Sequence, residues 1–369
     1  MLIYILMFLI SSLCCFLSYK CVKKKFWHRL FMILAILIPS IVAGCRSLNI
    51  GTDINVYGKL MFYTASNLSI GDFFSIFGFS DILFSLFTLL VGKLFKNIHI
   101  FLFLLQLLNC ALVYKTCDIF KKDIPVWLSY LIFLSTLYFR QLNLLRQGIA
   151  ISLSLLATAY LLKGKNKNFW ICFILAVLFH VSSIAVLLVY FIKILCDKKT
   201  ERKVPIVIIY CVLLISLVFF IPILKLITES GILPSKYTYS YFIRYLNINK
   251  ELDNLGTFFK LFWCLVTIFV ASNKNFKNKI KHFDFFLHIA CIDLILWMLN
   301  IHIQHIDRLS FYFGFTYMFL YIPQLHKLFK DDIINQIFIY AMIILLFVFY
   351  WYVRFILQNA GAVFPYTHF

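Results

Sequence analysis

The first polar motif of this chain contains the residue types that anion binding and acid–base chemistry require. It runs from Arg46 through Gly51-Thr52-Asp53 to Tyr57. Arginine presents a planar fork of donors suited to phosphate, and a carboxylate orients a substrate or takes up its proton. Asp53 and Tyr57 are four residues apart and share a face of any helix that begins here. We therefore predict a catalytic Asp53 and substrate contacts from Arg46 and Tyr57. The alternative is an interfacial arginine beside an ordinary helix start.

A second motif combines Asn143, Arg146 and Gln147. Their i, i+3, i+4 spacing predicts one polar stripe at the start of an apolar helix. The competing interpretation is that the Arg146 side chain snorkels to the membrane interface. The neighbouring amides favour function, so Arg146 is a catalytic candidate and Asn143 and Gln147 are substrate-binding candidates. Arg140 is a more ambiguous candidate for the same role.

Two further motifs place ionisable groups in or beside apolar segments. His180 lies in the middle of a long apolar run, where a histidine either shapes a kink or transfers protons. Both roles stay open.

Asp307-Arg308 opens another segment with Tyr312 one turn later, which makes Arg308 and Tyr312 substrate-binding candidates. The alternative is an exposed ion pair of little energetic value.

No metal ion or other cofactor is expected. His302, His305 and Asp307 have the right chemistry for metal ligands, but their i, i+3, i+5 spacing fits no common motif. The 11 cysteines include no CxxC pair, and most lie in apolar segments as small hydrophobic residues. A Walker loop is absent from the sequence, which argues against nucleotide-powered chemistry.

The composition requires a membrane. Of the 369 residues, 63% are hydrophobic and only 14% are charged, a balance that a soluble domain of this length has no means of burying. Long continuous apolar stretches predict helices rather than the alternating strands of a barrel. The formal net charge is +20, but the basic residues cluster in short loops, as the positive-inside rule predicts. Nucleic acid is therefore not an expected partner.

The apolar stretches predict an all-α polytopic membrane protein with about 11–12 transmembrane helices in one integral domain, 1–369. Segment 81–95 is short and segment 169–195 is long with a polar break, so re-entrant or interfacial segments are expected there. The first segment precedes its basic residues and is expected to be retained as a helix. The predicted segments are 1–19, 30–45, 81–95, 98–117, 124–139, 143–162, 169–195, 204–227, 256–271, 283–301, 308–325 and 333–357.

Basic loops orient these segments. Four basic loops follow the first, seventh, ninth and eleventh of these apolar segments and are expected in the cytoplasm: 20–29, 193–203, 274–282 and 326–330. Both termini and the loops 46–80, 228–255 and 302–307 are then expected outside. If every segment crosses once, the lysines of loop 163–167 fall on the wrong side. An interfacial segment 81–95 and a bent segment 169–195 correct this, and we prefer that arrangement.

Three arginines at helix ends, Arg46, Arg146 and Arg308, together predict a site for a lipid-carried pyrophosphate. The combined pattern resembles the EpsG family of bacterial exopolysaccharide polymerases, which are related in role to Wzy-type O-antigen polymerases. The resemblance covers nearly the full chain, although Val181 stands where the family usually has a small residue or proline. It rests on Arg46 with Gly51-Thr52-Asp53 and Tyr57, Leu145-Arg146-Gln147 with Ala150, Phe179-His180 with Ser182 and Ser183, Arg308 with Tyr312, and Pro365-Tyr366.

The resemblance implies a multi-pass protein of the bacterial inner membrane with a GT-C-like architecture. It implies glycosyl transfer between oligosaccharide units carried on undecaprenyl pyrophosphate, with the lipid pyrophosphate as leaving group. Arginines would neutralise that group, and Asp53 or His180 would take the acceptor proton. Tyr366 joins the substrate-binding candidates. Membrane lipid and the chain-length regulator and flippase of the same pathway are the implied partners.

Two other classes stay open. An O-antigen ligase or acyltransferase is also polytopic with polar groups on one face, but a ligase generally has a larger outer loop than 46–80 or 228–255. A flippase or transporter is expected to show charges along a midplane path and broken helices in related halves. With 12 Gly, 7 Pro and no internal repeat, the sequence favours catalysis at one face.

Overall fold

The computed structural model describes residues 1–197, 215, 226, 253–302, 305–329 and 332–368. Regular structure in these residues is helical, and the pairing of Arg46 with His368 is an isolated β-bridge. The predicted all-α class is therefore confirmed. Segment 204–227, apart from two residues, and most of loop 228–255 lie outside the described residues.

Sixteen α-helices can be numbered along the described chain. Short 3₁₀ or π-helical turns at 54–58, 181–185, 299–301, 322–329 and 352–357 connect or extend them. The helices are α1 (Leu2–Lys20), α2 (Lys25–Gly44), α3 (Lys59–Asn67), α4 (Ile70–Phe77), α5 (Ile82–Phe95), α6 (Ile98–Ile119), α7 (Val126–Ser135), α8 (Leu137–Asn143), α9 (Leu145–Leu162), α10 (Asn166–Phe179), α11 (Val186–Asp197), α12 (Asn254–Ser272), α13 (Lys274–Lys279), α14 (Phe283–Met298), α15 (Asp307–Leu320) and α16 (Ile333–Trp351).

Seven helical segments in the described residues are long and apolar enough to cross a membrane, which confirms a polytopic membrane protein. The expected 11–12 spans also counted shorter elements and segment 204–227. Helices α5 and α10 are apolar but short. The crossing candidates are Leu2–Lys20, Lys25–Gly44, Ile98–Ile119, Leu145–Leu162, Asn254–Ser272, Phe283–Ile301 and Ile333–Leu357.

Several helices break where the sequence carries polar residues. The predicted bend in segment 169–195 is confirmed, because α10 ends at Phe179 and His180 has extended backbone dihedrals, φ −163° and ψ 121°. Segment 124–139 divides at Thr136 into α7 and α8. The predicted loop 46–80 is largely helical and contains α3 and α4.

The described chain divides into two compact units. Unit 1 comprises Met1–Val186 and Met318–Phe369, and α9 forms its centre. Of the 18 residues of α9, 89% are buried, whereas only 11% of the most apolar 18-residue stretch of Ile333–Leu357 are buried. Small residues at successive turns of α9 allow neighbouring helices to approach closely, the usual device of helix packing in lipid. They are Gly148, Ala150, Ser152, Ser154, Ala157, Thr158 and Ala159.

A buried chain of hydrogen bonds fixes the angle between α8 and α9. The Gln141 amide donates to Ser152 Oγ at 2.8 Å and accepts from Gln106 Nε2 at 3.1 Å. Ser152 Oγ in turn donates to Asn109 Oδ1 at 2.9 Å. In an apolar environment such polar groups require partners, so this network holds the short helix α8 in one position against α6 and α9.

Unit 1 has two polar ends. At one end, the start of α1 meets the C-terminal segment through a hydrogen bond from Tyr4 Oη to the Val363 carbonyl at 2.8 Å. At the other end, Lys163 and Lys327 both contact the Asp123 carboxylate, at 2.7 and 3.5 Å. Loop 163–167 therefore lies at the same end as the basic loop that follows α15. This is the end at which the arrangement with an interfacial segment 81–95 and a bent segment 169–195 places the lysines of loop 163–167.

Unit 2, Leu187–Tyr317, contains a buried ion pair that the sequence analysis did not identify. Lys260 Nζ on α12 lies 2.5 and 2.7 Å from the two carboxylate oxygens of Asp293 on α14. Gly314 lies against this pair, and a Cβ atom there would stand 2.8 Å from Asp293 Oδ1. A glycine is needed because the carboxylate occupies the space that a side chain would fill.

Candidate functional site

The Gly-Thr-Asp motif is held in place by the end of α8. The side-chain oxygen Oδ1 of Asn143 accepts hydrogen bonds from the Thr52 amide at 2.7 Å, the Thr52 hydroxyl at 2.6 Å and the Asp53 amide at 3.1 Å. Asn143 thus caps the helical segment that begins at Thr52, and Thr52 itself does not serve as the cap. Gly51 has φ +89°, and a Cβ atom there would lie 2.4 Å from the Leu142 carbonyl oxygen. Only glycine fits both restrictions.

The expected proximity of Asp53 and Tyr57 is present. The Tyr57 hydroxyl donates to Asp53 Oδ2 at 2.8 Å across one turn. Burial, followed by the negative charge of Asp53, raises the pKa of the Tyr57 phenol. The phenol therefore stays protonated and keeps donating its hydrogen bond to the carboxylate. This hydrogen bond engages one of the two carboxylate oxygens of Asp53.

Asp81 is the centre of the site, although no sequence motif marks it. It precedes α5 in a left-handed conformation, φ 51° and ψ 49°, and its side chain is 8% exposed. Arg146 Nη1 donates to Asp81 Oδ2 at 2.8 Å. His180 Nδ1 lies 3.2 Å from Oδ1 and 3.3 Å from Oδ2 of the same carboxylate. One acid therefore joins the start of α9 to the break between α10 and α11.

Electrostatics keep Asp81 ionised. Burial opposes its ionisation, but the hydrogen bond from His180 and the nearby positive charge of Arg146 outweigh burial and lower the pKa of the Asp81 carboxyl. Arg146 also stacks on Tyr57, with the guanidinium carbon 4.3 Å from the ring centre. We call Asp53, Tyr57, Asp81, Arg146 and His180 the Asp81 cluster.

A small cleft opens beside this cluster. Its volume is about 60 Å³. Tyr57, Asp81 and Arg146 provide its polar wall, and Met61 and Phe77 provide part of its apolar wall. A sugar chain is too large to be enclosed here, so the cleft suits one small polar group of a larger ligand that remains outside.

A second arginine lies near the same end of unit 1. Arg46 is only 2% exposed, and its Nε has no hydrogen-bond partner in the described residues. The titratable groups that interact with it electrostatically are the phenols of Tyr138, Tyr4 and Tyr366, which are neutral at neutral pH. Burial lowers the pKa of the Arg46 guanidinium to about 10, so the group remains a cation at neutral pH. With no carboxylate partner among the described residues, such a buried cation is energetically costly, which makes Arg46 a candidate functional residue.

The C-terminal segment, which contains Ala362–Thr367, is hydrogen-bonded to the chain on both sides of Arg46. The Ser47 amide donates to the Thr367 carbonyl at 2.7 Å, and the Gly51 amide donates to the Ala362 carbonyl at 2.9 Å. Tyr366 Oη donates to the Val42 carbonyl at 3.0 Å. The Pro365-Tyr366 motif thus packs beside the Arg46 motif, more than three hundred residues earlier in the chain.

One sequence-based inference about the second motif is wrong. Asn143, Arg146 and Gln147 do not share a helical stripe, because α8 ends at Asn143 and Leu144, with φ −87° and ψ 79°, separates it from α9. The Asn143 side chain accepts hydrogen bonds from the Gly-Thr-Asp motif, and the Arg146 side chain donates one to Asp81. Gln147 Nε2 donates to Ser182 Oγ at 3.5 Å, beside the break at His180.

The remaining candidates are Arg140, Arg308 and Tyr312. The Arg140 guanidinium carbon is 5.5 Å from the centre of the Phe355 ring, so it makes a cation–π contact. Arg308 and Tyr312 belong to α15 within unit 2, and Tyr312 is 1% exposed. The three-arginine site therefore stays a prediction. Asp81 was missed because it stands before a short apolar helix with no motif around it.

Fold and site together define a polytopic all-α membrane protein whose acid, imidazole and guanidinium groups meet at helix ends. The EpsG family model matches residues 29–368, and the chain belongs to the EpsG family. This membership indicates a polysaccharide polymerase-type role. No curated protein matches the chain, and no solved structure matches it.

Proposed function

We propose that this protein is a glycosyltransferase that joins oligosaccharide units carried on undecaprenyl pyrophosphate at the outer face of the bacterial inner membrane. Family membership supports the polymerase role. The observation that carries the chemistry is the Asp81 carboxylate, which contacts Arg146 and His180 at once. An acid–base group and an anion-binding group thereby border one reaction site.

In the proposed step, an acceptor hydroxyl attacks the anomeric carbon of the donor sugar. A new carbon–oxygen bond forms as the bond to the lipid pyrophosphate breaks. The acceptor proton passes to a base, and the bonding electrons leave with the pyrophosphate. No nucleotide sugar is needed, because the pyrophosphate is itself the leaving group.

His180 is the proposed base. An ionised Asp81 accepts a hydrogen bond from the Nδ1–H group of His180 and fixes the ring. Nε2 is then left to take the proton from the acceptor hydroxyl, the division of roles seen in Asp–His pairs of hydrolases. Asp53 was the other candidate. The hydrogen bond from Tyr57 engages Asp53 and favours an orienting role for it.

Arg146 and Arg46 are the proposed anion-binding residues for the leaving group. Arg146 is one-third exposed and borders the cleft, so one face of its fork can meet a phosphate oxygen while Nη1 stays on Asp81. Arg46 supplies a cation that no described carboxylate neutralises. Such fixed charges act most strongly on the charge that develops as the sugar–oxygen bond breaks.

The test is the lipid-linked glycan profile of a deletion strain complemented with wild type, Arg146→Ala or Arg29→Ala. Arg29 is exposed near the opposite end of α2 from Arg46 and serves as the control for losing one arginine. We expect single repeat units to accumulate with the deletion and with Arg146→Ala, and long polymer with wild type and Arg29→Ala.

Other profiles would identify the competing classes. Long polymer that remains on the lipid carrier in the deletion strain would indicate a ligase. A lack of outward-facing units would indicate a flippase. Arg→Lys variants of Arg46, Arg146 and Arg308 test the anion site, because lysine lacks the fork contact. Undiminished polymer in all three would refute that part of the proposal.

A further inference from the structure

A second cavity lies at the end of unit 1 opposite to the Asp81 cluster. It has a volume of about 290 Å³, and its lining includes the end of α1, the loop after α6 and the start of α7. Tyr4 near the start of α1 contacts the C-terminal segment, whereas Lys20 at its end lines this cavity. The 19 residues of α1 separate the two ends by roughly 28 Å at about 1.5 Å per residue.

The cavity is rich in accessible positive charge. Lys20, Lys121 and Lys122 line it, and all three are exposed. Lys121 makes an ion pair at 3.0 Å with Asp118. Lys20 and Lys122 still give the wall a net excess of positive charge. The one acid in the wall, Asp123, is already matched by Lys163 and Lys327 outside the cavity lining.

Aromatic residues form another part of the wall. The Tyr340 ring lies 5.7 Å from the Trp127 ring and is stacked 5.6 Å from the His326 ring, measured between centroids. Burial, the main influence, lowers the pKa of His326, so the ring is neutral and the lysines alone supply the charge. Aromatic rings of this kind are typical of the membrane–water interface, where one edge is wet and the other apolar.

An apolar surface continues from the cavity along α1. Phe16 lines the cavity and is 38% exposed, and Leu13, one turn earlier on the same face, is 55% exposed. A ligand that fits both parts carries an anionic group for the lysines and a hydrocarbon chain for α1. A soluble phosphate satisfies only the first of these two requirements.

We propose that this cavity binds the headgroup of an anionic glycerophospholipid, with Lys20, Lys121 and Lys122 as phosphate contacts and the acyl chain along α1. Basic pockets between membrane helices bind such headgroups. The site is separate from the proposed glycosyl transfer, and neither depends on the other.

The experiment uses the full chain in detergent and measures binding of phosphatidylglycerol and of phosphatidylcholine by native mass spectrometry. The variant Lys121→Gln/Lys122→Gln removes two charges from the cavity. Its matched control, Lys165→Gln/Lys167→Gln, removes two exposed charges from the loop at the same end of unit 1. At about 1 kcal/mol per lysine near an anionic surface, we expect phosphatidylglycerol binding to weaken ~30-fold in the cavity variant and by less than about threefold in the control.

Two further measurements make the result decisive. Lys121→Arg/Lys122→Arg keeps the charge and should retain phosphatidylglycerol, and thermal melting should show that all variants are folded. Equal losses in the cavity and control variants, or equal binding of phosphatidylcholine by wild type, would overturn the proposal. Displacement of the lipid by glycerol phosphate at similar concentration would show a site for a soluble anion and would overturn the lipid assignment.

Discussion

Asp81→Asn is the substitution that most directly tests how the site is organised. The amide keeps the shape of the carboxyl and one acceptor oxygen, but it has no charge to share between Arg146 and His180. Slower polymer formation is expected, because the imidazole would no longer be fixed and Arg146 would no longer be anchored at the cleft. Asp81 would act through these two side chains as a positioning residue.

The structure sets the magnitude. The Asp81 side chain is 8% exposed and that of Arg146 is 33% exposed, so the pair lies between an exposed ion pair worth ~0.2–1 kcal/mol and a buried one whose rupture costs ~3–5 kcal/mol. A loss of about 2 kcal/mol is therefore expected. If this loss falls on the transition state, the polymerisation rate decreases ~30-fold.

The assay is the rate of polymer formation by purified protein from lipid-linked repeat units, at matched amounts of folded protein. Asp72→Asn is the control, since Asp72 is exposed in α4 and its carboxylate accepts a hydrogen bond from the nearby Ser69 hydroxyl at 2.6 Å. Asp81→Asn/His180→Gln should be little slower than the slower single variant, because both changes disable the same unit. A wild-type rate for Asp81→Asn, or fully additive losses in the double variant, would refute the reasoning.

Four further outcomes are expected. Arg46→Gln should abolish polymer while leaving the melting temperature equal or higher, because it removes a buried cation without a described carboxylate. Asn143→Ala should lower stability by ~1–2 kcal/mol in denaturation and reduce polymer, because it removes three hydrogen bonds that hold the Gly-Thr-Asp motif. Lys260→Met should destabilise unit 2 by ~3–5 kcal/mol in thermal denaturation, and adding Asp293→Leu should recover much of the loss, since the single variant leaves a buried charge unpaired. The folded-state pKa of Asp81 lies below its ordinary value of 3.8, so its stabilisation is complete above that pH and is lost as the pH falls through the lowered pKa. Melting temperatures of wild type and Asp81→Asn should therefore converge only in strong acid.

The sequence by itself determined the class of the protein. Continuous runs of apolar residues long enough to span a bilayer predict helices, because a helix pairs the backbone polar groups within its own segment and leaves few exposed to lipid. The bend at His180 was also predictable, since a polar break inside an apolar run interrupts the helix there. The proximity of Asp53 and Tyr57 followed from helical spacing alone, which is a local property.

Tertiary structure decided which motifs meet. Asp81 comes from a segment with no recognisable motif, and it reaches Arg146 and His180 only because α5, α9 and α10 pack together. The stripe expected for Asn143 and Arg146 failed because one residue, Leu144, leaves the helical conformation. Helical spacing fixes which side chains share a face only while the helix continues, and contacts between residues 65 and 99 positions apart depend on packing that the local sequence does not encode.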